Sequence, residues 1–122
     1  MTEKQIHKNI CIYLKMQFPN LIFTSDMSGL RTSIGVAVNM KALRSSRGIP
    51  DLLIFEPRQG YNGLLIEIKI KKEKLYKKDG TFRTEHLKEQ FEMIKRLKEK
   101  GYYAVFGFGF DDCKEIIDNY MK

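Results

Sequence analysis

Asp51, Glu67 and Lys69 carry the groups that hydrolysis of a phosphodiester requires. The aspartate closes "GIPD" (48–51), and "EIK" (67–69) sets a carboxylate and an ammonium two residues apart. On an extended strand, residues two apart share a face, so Glu67 and Lys69 point the same way. Paired carboxylates are hard oxygen ligands for Mg²⁺ or Mn²⁺, ions that keep positions open for water and a phosphate oxygen. A neighbouring lysine can orient or deprotonate the attacking water, or stabilise charge building on a phosphorane.

That chemistry depends on the two segments pairing. Strands near 51–55 and 64–70 are expected to form a hairpin. Gly48 and Pro50 shape the approach to it, because proline fixes φ and its missing N–H suits the first residue of a strand. A hairpin turning about Gln59 sets Asp51 opposite Glu67, since each lies eight residues away. The two carboxylates then stand roughly 5 Å apart, where like charges repel across the ladder and call for a cation. A slip of one residue would undo the alignment.

A plainer reading competes. Leu64, Ile66, Ile68 and Ile70 share one face of this strand and Leu65, Glu67 and Lys69 the other. An amphipathic strand with a solvated charged face has the same pattern, and lysines commonly protect sheet edges. Asp112-Cys113-Lys114 repeats the acid-x-Lys triplet at a helix start, where it has no catalytic meaning. The triplet alone therefore favours the solvated strand; its position after "GIPD" on a partner strand favours the site.

The surrounding elements have to deliver further groups. "TEKQ" opens a helix as a capping box, with Thr2 as N-cap and Gln5 reaching back. Ile6, Ile10, Tyr13, Leu14 and Phe18 follow helical spacing, and Pro19 lies beyond the end. A short strand is expected over 21–25, a loop over 25–35 and a helix over 36–46. Residues 84–101 read as a helix with Leu87, Phe91, Ile94 and Leu97 on one face and Gly101 as its stop. A strand over 102–110 follows. The last helix is expected to be capped by Asp112 and Glu115 and to bury Cys113, Ile116, Ile117 and Tyr120. The order α-β-α-β-β-α-β-α describes an α/β fold, a mixed β-sheet flanked by helices in a single domain over residues 1–122.

Two polar residues fall on apolar helix faces: Glu3 on the first helix and Gln90 between Ile94 and Leu97. Polar groups aimed at a core need partners. For Glu3 the alternatives are a frayed helix start, where acids are favoured, or a ligand of the metal site. For Gln90 they are a satisfied core amide or a group that supports the site.

Composition sets the outer limits. A chain of 122 residues with 43% hydrophobic and 30% charged residues suits a folded globular protein rather than a disordered one. No apolar run approaches the roughly 20 residues of a membrane span, and "MTEKQIHKN" lacks the apolar stretch of a signal peptide. A cytoplasmic protein, bacterial or phage-encoded and acting in a host, is the corresponding expectation. The net charge of +7 points to a polyanionic partner, nucleic acid first. Cys11 and Cys113 lack CxxC spacing and read as buried reduced thiols. No Gly-rich phosphate loop appears, since "GFGF" is followed by "DD", so no nucleotide cofactor is expected. His7 reads as exposed, and His86, one turn before Gln90, borders the site without an assigned role.

Taken together, "GIPDLLIF", "LLIEIK" and "EHLKEQFEMIKRLKEKGY" resemble the VRR-NUC branch of the PD-(D/E)XK nuclease superfamily, from about Lys41 to Phe106. Glu3 matches that superfamily's first-helix acid. The resemblance implies a restriction-endonuclease-like core in which Asp51, Glu67 and the Ile68 carbonyl bind Mg²⁺ or Mn²⁺. It also implies that Lys69 is catalytic, that Gln90 supports the site, and that the protein is a metal-dependent DNA nuclease. The resemblance further implies a nuclease of a kind often phage-borne or tied to replication and repair, whose small stand-alone members look like homodimers that cut branched DNA, including four-way junctions. Flap, nick or restriction-type cleavage, or a non-catalytic basic DNA-binding module, are the alternatives.

The stretch 71–84 is longer than the link usual in that family, and Asp79-Gly80 could turn a small hairpin within it. Lys71, Lys72, Lys74, Lys77, Lys78 and Arg83 crowd it. These residues, with Arg31, Lys41, Arg44 and Arg47 ahead of the acids, are candidate contacts to the DNA backbone. The competing readings are a solvated charged loop, or a dimer contact through Tyr76 and Phe82.

Overall fold

In a computed structural model, residues 1–26, 35, 38–39, 42–72 and 75–122 are described. The first helix, α1 (Glu3–Gln17), starts where the capping box predicts. Thr2 Oγ1 accepts from Gln5 N, and Thr2 N donates to Gln5 Oε1. Strand β1 (Phe23–Ser25) is shorter than expected. The helix expected over 36–46 lies largely outside the described residues.

Strands β2 (Leu52–Ile54) and β3 (Leu64–Lys69) form the predicted hairpin. Leu52 pairs with Ile66 and Ile54 with Leu64, so the ladder runs in the register that continues to Asp51 opposite Glu67. The turn itself is Gln59-Gly60, both at positive φ, bridged by Arg58 and Tyr61. It is centred half a residue beyond Gln59, and the offset is absorbed between the bridge and the ladder. Gly63 permits this, because a β-carbon there would lie 2.8 Å from the Ile54 carbonyl.

Helix α2 (Glu85–Glu99) is capped by Thr84, whose hydroxyl accepts from Leu87 N, and it ends at Gly101 in the left-handed region. Strand β4 (Tyr103–Phe108) then pairs parallel with β3, giving a mixed sheet in the order β1-β2-β3-β4. Helix α3 (Gly109–Tyr120) begins four residues earlier than an N-cap at Asp112 predicts. Asp112 is not its N-cap; it reaches back from the first turn to accept from Phe108 N at 2.8 Å. Gly109, at φ +84°, makes the strand-to-helix corner and so allows the earlier start.

The two faces of the sheet bury different sets of residues. Leu52, Ile54, Leu64, Ile66 and Ile68 pack with Ile6, Ile10 and Leu14 of α1 and Cys113, Ile117 and Tyr120 of α3. Leu65 and Ala104 pack with Ile94 of α2 on the opposite face. Phe91 stands out from that face, and its ring meets Phe82 at 5.2 Å. The α2 stripe is centred instead on Gln90, Met93 and Ile94. Cys11 is half-buried, whereas Cys113 is fully buried. Among the described residues, no helix is long and apolar enough to cross a membrane.

The Asp79-Gly80 hairpin forms as its sequence predicts. Lys77 N donates to Thr81 O, Tyr76 bridges Phe82, and Gly80 has φ +88°. Buried Leu75 anchors it, while Lys71, Lys72, Lys77, Lys78 and Arg83 remain exposed.

Candidate active site

The segment that delivers Asp51 is held against the helix that delivers Gln90. Gly48 has φ +83°, and a β-carbon there would lie 2.9 Å from the Glu89 carbonyl and 3.1 Å from Gln90 Cα. Only glycine satisfies both the backbone angle and the contact. Arg44 secures the same segment: Nη1 donates to the Ile49 carbonyl at 2.7 Å, and Nε donates to Asp26 Oδ2 at 2.6 Å.

Asp51 sits one residue before the β2 ladder begins. Its N–H donates to Glu67 Oε2, and its own Oδ2 accepts from Ile68 N, both at 3.2 Å. Each carboxylate is therefore fixed by a backbone N–H of the opposing chain segment. Gln90 Nε2 donates to Glu67 Oε1 at 2.5 Å, and Lys69 Nζ lies 3.5 Å from that same oxygen. Glu67 and Gln90 are both buried. His86 Nε2 stands 3.2 Å from Gln90 Nε2, so His86 does border the site.

From the other side, α1 contributes two groups one helical turn apart. Potential ligand atoms of Glu3, His7 and Asp51 all lie within 4.8 Å of one another. The expectation of an exposed His7 does not hold, because the residue is only 1% accessible. Its Nδ1 is 2.9 Å from Ser25 Oγ, and its Nε2 is 3.6 Å from Asp51 Oδ2, too far for a hydrogen bond. A signal for His7 does exist in the sequence: it follows Glu3 by four residues and lies between buried Ile6 and Ile10. Polarity alone points such a residue to solvent, whereas the acid one turn before it points to the site.

These placements leave the acids electrostatically strained. Burial pushes Asp51 up to about 7; the Ile68 N–H opposes this, Glu3 adds to it, and Lys69 and Arg44 oppose it. Burial also raises Glu67 well above the usual carboxylate range, with Asp51 adding and Lys69 opposing. Glu3 is raised by burial as well, against the pull of Lys69. The His7 pKa is lowered by burial, with Asp26 opposing, which favours the neutral imidazole. Lys69 and Arg44 together do not offset three clustered acids. A divalent cation among them would reverse the cost of ionising them.

Asp51, Glu67, Lys69, Gln90 and Glu3 thus converge at one end of the sheet. The candidate DNA contacts are dispersed by comparison. Arg44 is engaged inside the chain with Asp26 and Ile49. Arg47 is 84% exposed, with Glu89 4.0 Å away. Arg31, Lys41 and Lys74 lie outside the described residues.

No family model matches the sequence, and no curated protein matches it. A solved structure described as a "VRR_NUC domain protein" does match in three dimensions. It is 26% identical, with a TM-score of 0.65, over 99% of this chain and 88% of that one. The fold is that of a VRR-NUC domain. The resemblance carried by the "GIPD" and "EIK" segments therefore extends across nearly the whole chain. Within the VRR-NUC frame, the β2–β3 hairpin, the α2 crossover and the N-terminal helix all border the acidic cluster.

Proposed function

We propose that this chain, as a single domain over residues 1–122, is a metal-dependent DNA endonuclease of the PD-(D/E)XK type. The observation that carries the reading is the meeting of Asp51, Glu67, Lys69 and Gln90 at one end of a VRR-NUC fold. Branched DNA, such as a four-way junction, is the proposed substrate, cut by a homodimer. A net charge of +7 favours such a polyanion.

The donors present fit a hard divalent ion. Asp51, Glu67 and Glu3 are buried or half-buried acids whose mutual repulsion a cation would relieve. Asp51, Glu67 and the Ile68 carbonyl would hold Mg²⁺ or Mn²⁺, with Glu3 completing the set. When bound, such an ion lowers the pKa of water and neutralises charge on the scissile phosphate.

The chain's own groups do the remaining work. Lys69 orients the attacking water, or offsets the charge that develops on the phosphate oxygens, from its place beside Glu67. Gln90 fixes one oxygen of Glu67 and the Asp51 N–H fixes the other, so the acid is preorganised. Exposed Lys71, Lys72, Lys77, Lys78 and Arg83 contact the backbone of the duplex next to the cut.

Cleavage of labelled junction, flap, single-stranded and linear DNA in Mg²⁺, Mn²⁺ or EDTA tests the reading. Junction cleavage that needs the ion and disappears in Asp51→Asn and Lys69→Ala is the expected result. Flap, nick or linear cleavage in its place would favour the runner-up nucleases. Tight DNA binding with no cleavage in either ion would favour a basic binding module. If both variants cut as well as wild type, the catalytic assignment is wrong.

A further inference from the structure

We propose that His7 is a nitrogen ligand of this metal centre and that it biases the site away from Mg²⁺ toward first-row transition ions. The inference rests on the nuclease reading of the site and specifies its ion.

The geometry makes His7 more than a core residue. Buried polar atoms are almost always hydrogen-bonded. Among the described residues, His7 Nε2, Glu89 Oε2 and Gln90 Oε1 are the buried side-chain atoms without a hydrogen-bond partner. His7 Nε2 is aimed at Asp51 Oδ2, 3.6 Å away, and a Glu3 oxygen completes a group spanning no more than 4.8 Å. Donors on opposite sides of one ion, at bond lengths of roughly 2.2 Å, stand about 4.4 Å apart. Small side-chain adjustments therefore suffice.

The far side of the ring is also prepared. Ser25 Oγ lies 2.9 Å from Nδ1. An Nδ1–H donated to Ser25 leaves the Nε2 lone pair facing the acids. Outer partners commonly orient metal-bound histidines in this way. Asp51 Oδ2 and both Glu67 oxygens each accept one hydrogen bond and keep a lone pair for an ion, so His7 Nε2 joins the acids of the centre and replaces none of them.

A nitrogen donor has a consequence for the ion. Mg²⁺ takes oxygen ligands and dehydrates reluctantly, whereas imidazole binds transition ions more readily. Mn²⁺ is the probe, read by pulsed electron paramagnetic resonance on the full chain and by Mn²⁺/Mg²⁺ competition. Wild type should show ¹⁴N coupling to bound Mn²⁺. The coupling should persist in His86→Gln, which alters the chain's one other histidine, and vanish in His7→Gln. The Mn²⁺-over-Mg²⁺ preference should fall about tenfold or more in His7→Gln. The spectra of wild type and His86→Gln decide the matter even if position 7 does not tolerate change. Mn²⁺ bound in an Asp51-dependent manner without ¹⁴N coupling would overturn the inference and leave the metal centre standing. Coupling that disappears in His86→Gln would overturn it too. No Mn²⁺ binding, or binding indifferent to Asp51→Asn, would overturn the centre itself.

Discussion

The backbone N–H of Asp51 donates to Glu67 Oε2, so the segment that carries one acid holds the carboxylate of the other. Gln90 holds the second oxygen of Glu67 from α2. Gln90→Leu should leave Glu67 with the Asp51 N–H on one oxygen and only the more distant Lys69 ammonium near the other. Loss of one hydrogen bond to a buried charged group costs about 1–3 kcal/mol. Cleavage should fall at least about tenfold through kcat, because the acid loses its orientation rather than its charge. Steady-state kinetics beside thermal melts will read both effects. A variant that is less stable yet cuts at the wild-type rate would return Gln90 to the status of a core amide.

Stability should fall across neutral pH when no metal is bound. Asp51 titrates at about 7 in the folded chain against an ordinary 3.8, so the folded state holds this proton more tightly. The stability gained from that proton is complete below pH ~4 and is lost as pH rises toward about 7. A shift of about three pKa units sets a ceiling of about 4 kcal/mol, shared with Glu3 and Glu67. Melting in EDTA from pH 4.5 to 8 should show Asp51→Asn gaining on wild type as pH rises. A constant difference between them would refute this. Mn²⁺ added at pH 7.5 should raise the wild-type melting temperature and leave that of Asp51→Asn unchanged.

Gly48→Ala should damage fold and activity together. It places a β-carbon 2.9 Å from the Glu89 carbonyl and forces an L-residue to hold φ +83°. The backbone angle alone costs about 1–2 kcal/mol. Because the same segment carries Asp51, relief of the clash must move the acid. Melting and Mn²⁺ affinity should therefore fall in parallel, and unchanged metal affinity would show that Asp51 is positioned independently of Gly48.

The basic hairpin should determine the salt dependence of DNA binding. Replacing Lys71, Lys72, Lys77 and Lys78 with Ala should flatten the plot of log affinity against log salt. The expected change in slope is about 0.9 for each phosphate that is no longer neutralised. Titrations between 50 and 200 mM salt, values chosen to span roughly the range where the effect is large, will measure it. An unchanged slope would leave these lysines as a solvated surface.

The parts of the molecule legible in sequence are those set by local rules. The capping box at Thr2 and Gln5, the Asp79-Gly80 turn and the Gly101 stop each follow from backbone chemistry within a few residues. The β2–β3 register is also accessible, because alternation and loop length constrain each other. What escapes depends on tertiary packing. Arg44 reads as a DNA contact until Asp26 and the Ile49 carbonyl are placed beside it. Helix α3 starts early because Gly109 turns the corner, which the acids at 111 and 112 conceal. His7 escapes because burial of an imidazole is decided by what packs over it, here β1 and the Asp51 segment.

Strand β3 accepts β4 in parallel, and the chain between them runs back through α2, bringing Gln90 with it. The crossover that completes the sheet therefore also brings Gln90 to Glu67. Contacts of such high sequence separation form late and slowly, after loop entropy has been overcome. Before that step Glu67 has no Gln90 beside it. In refolding, the cleavage proposed for this site should recover with the closure of the sheet rather than with early helix formation.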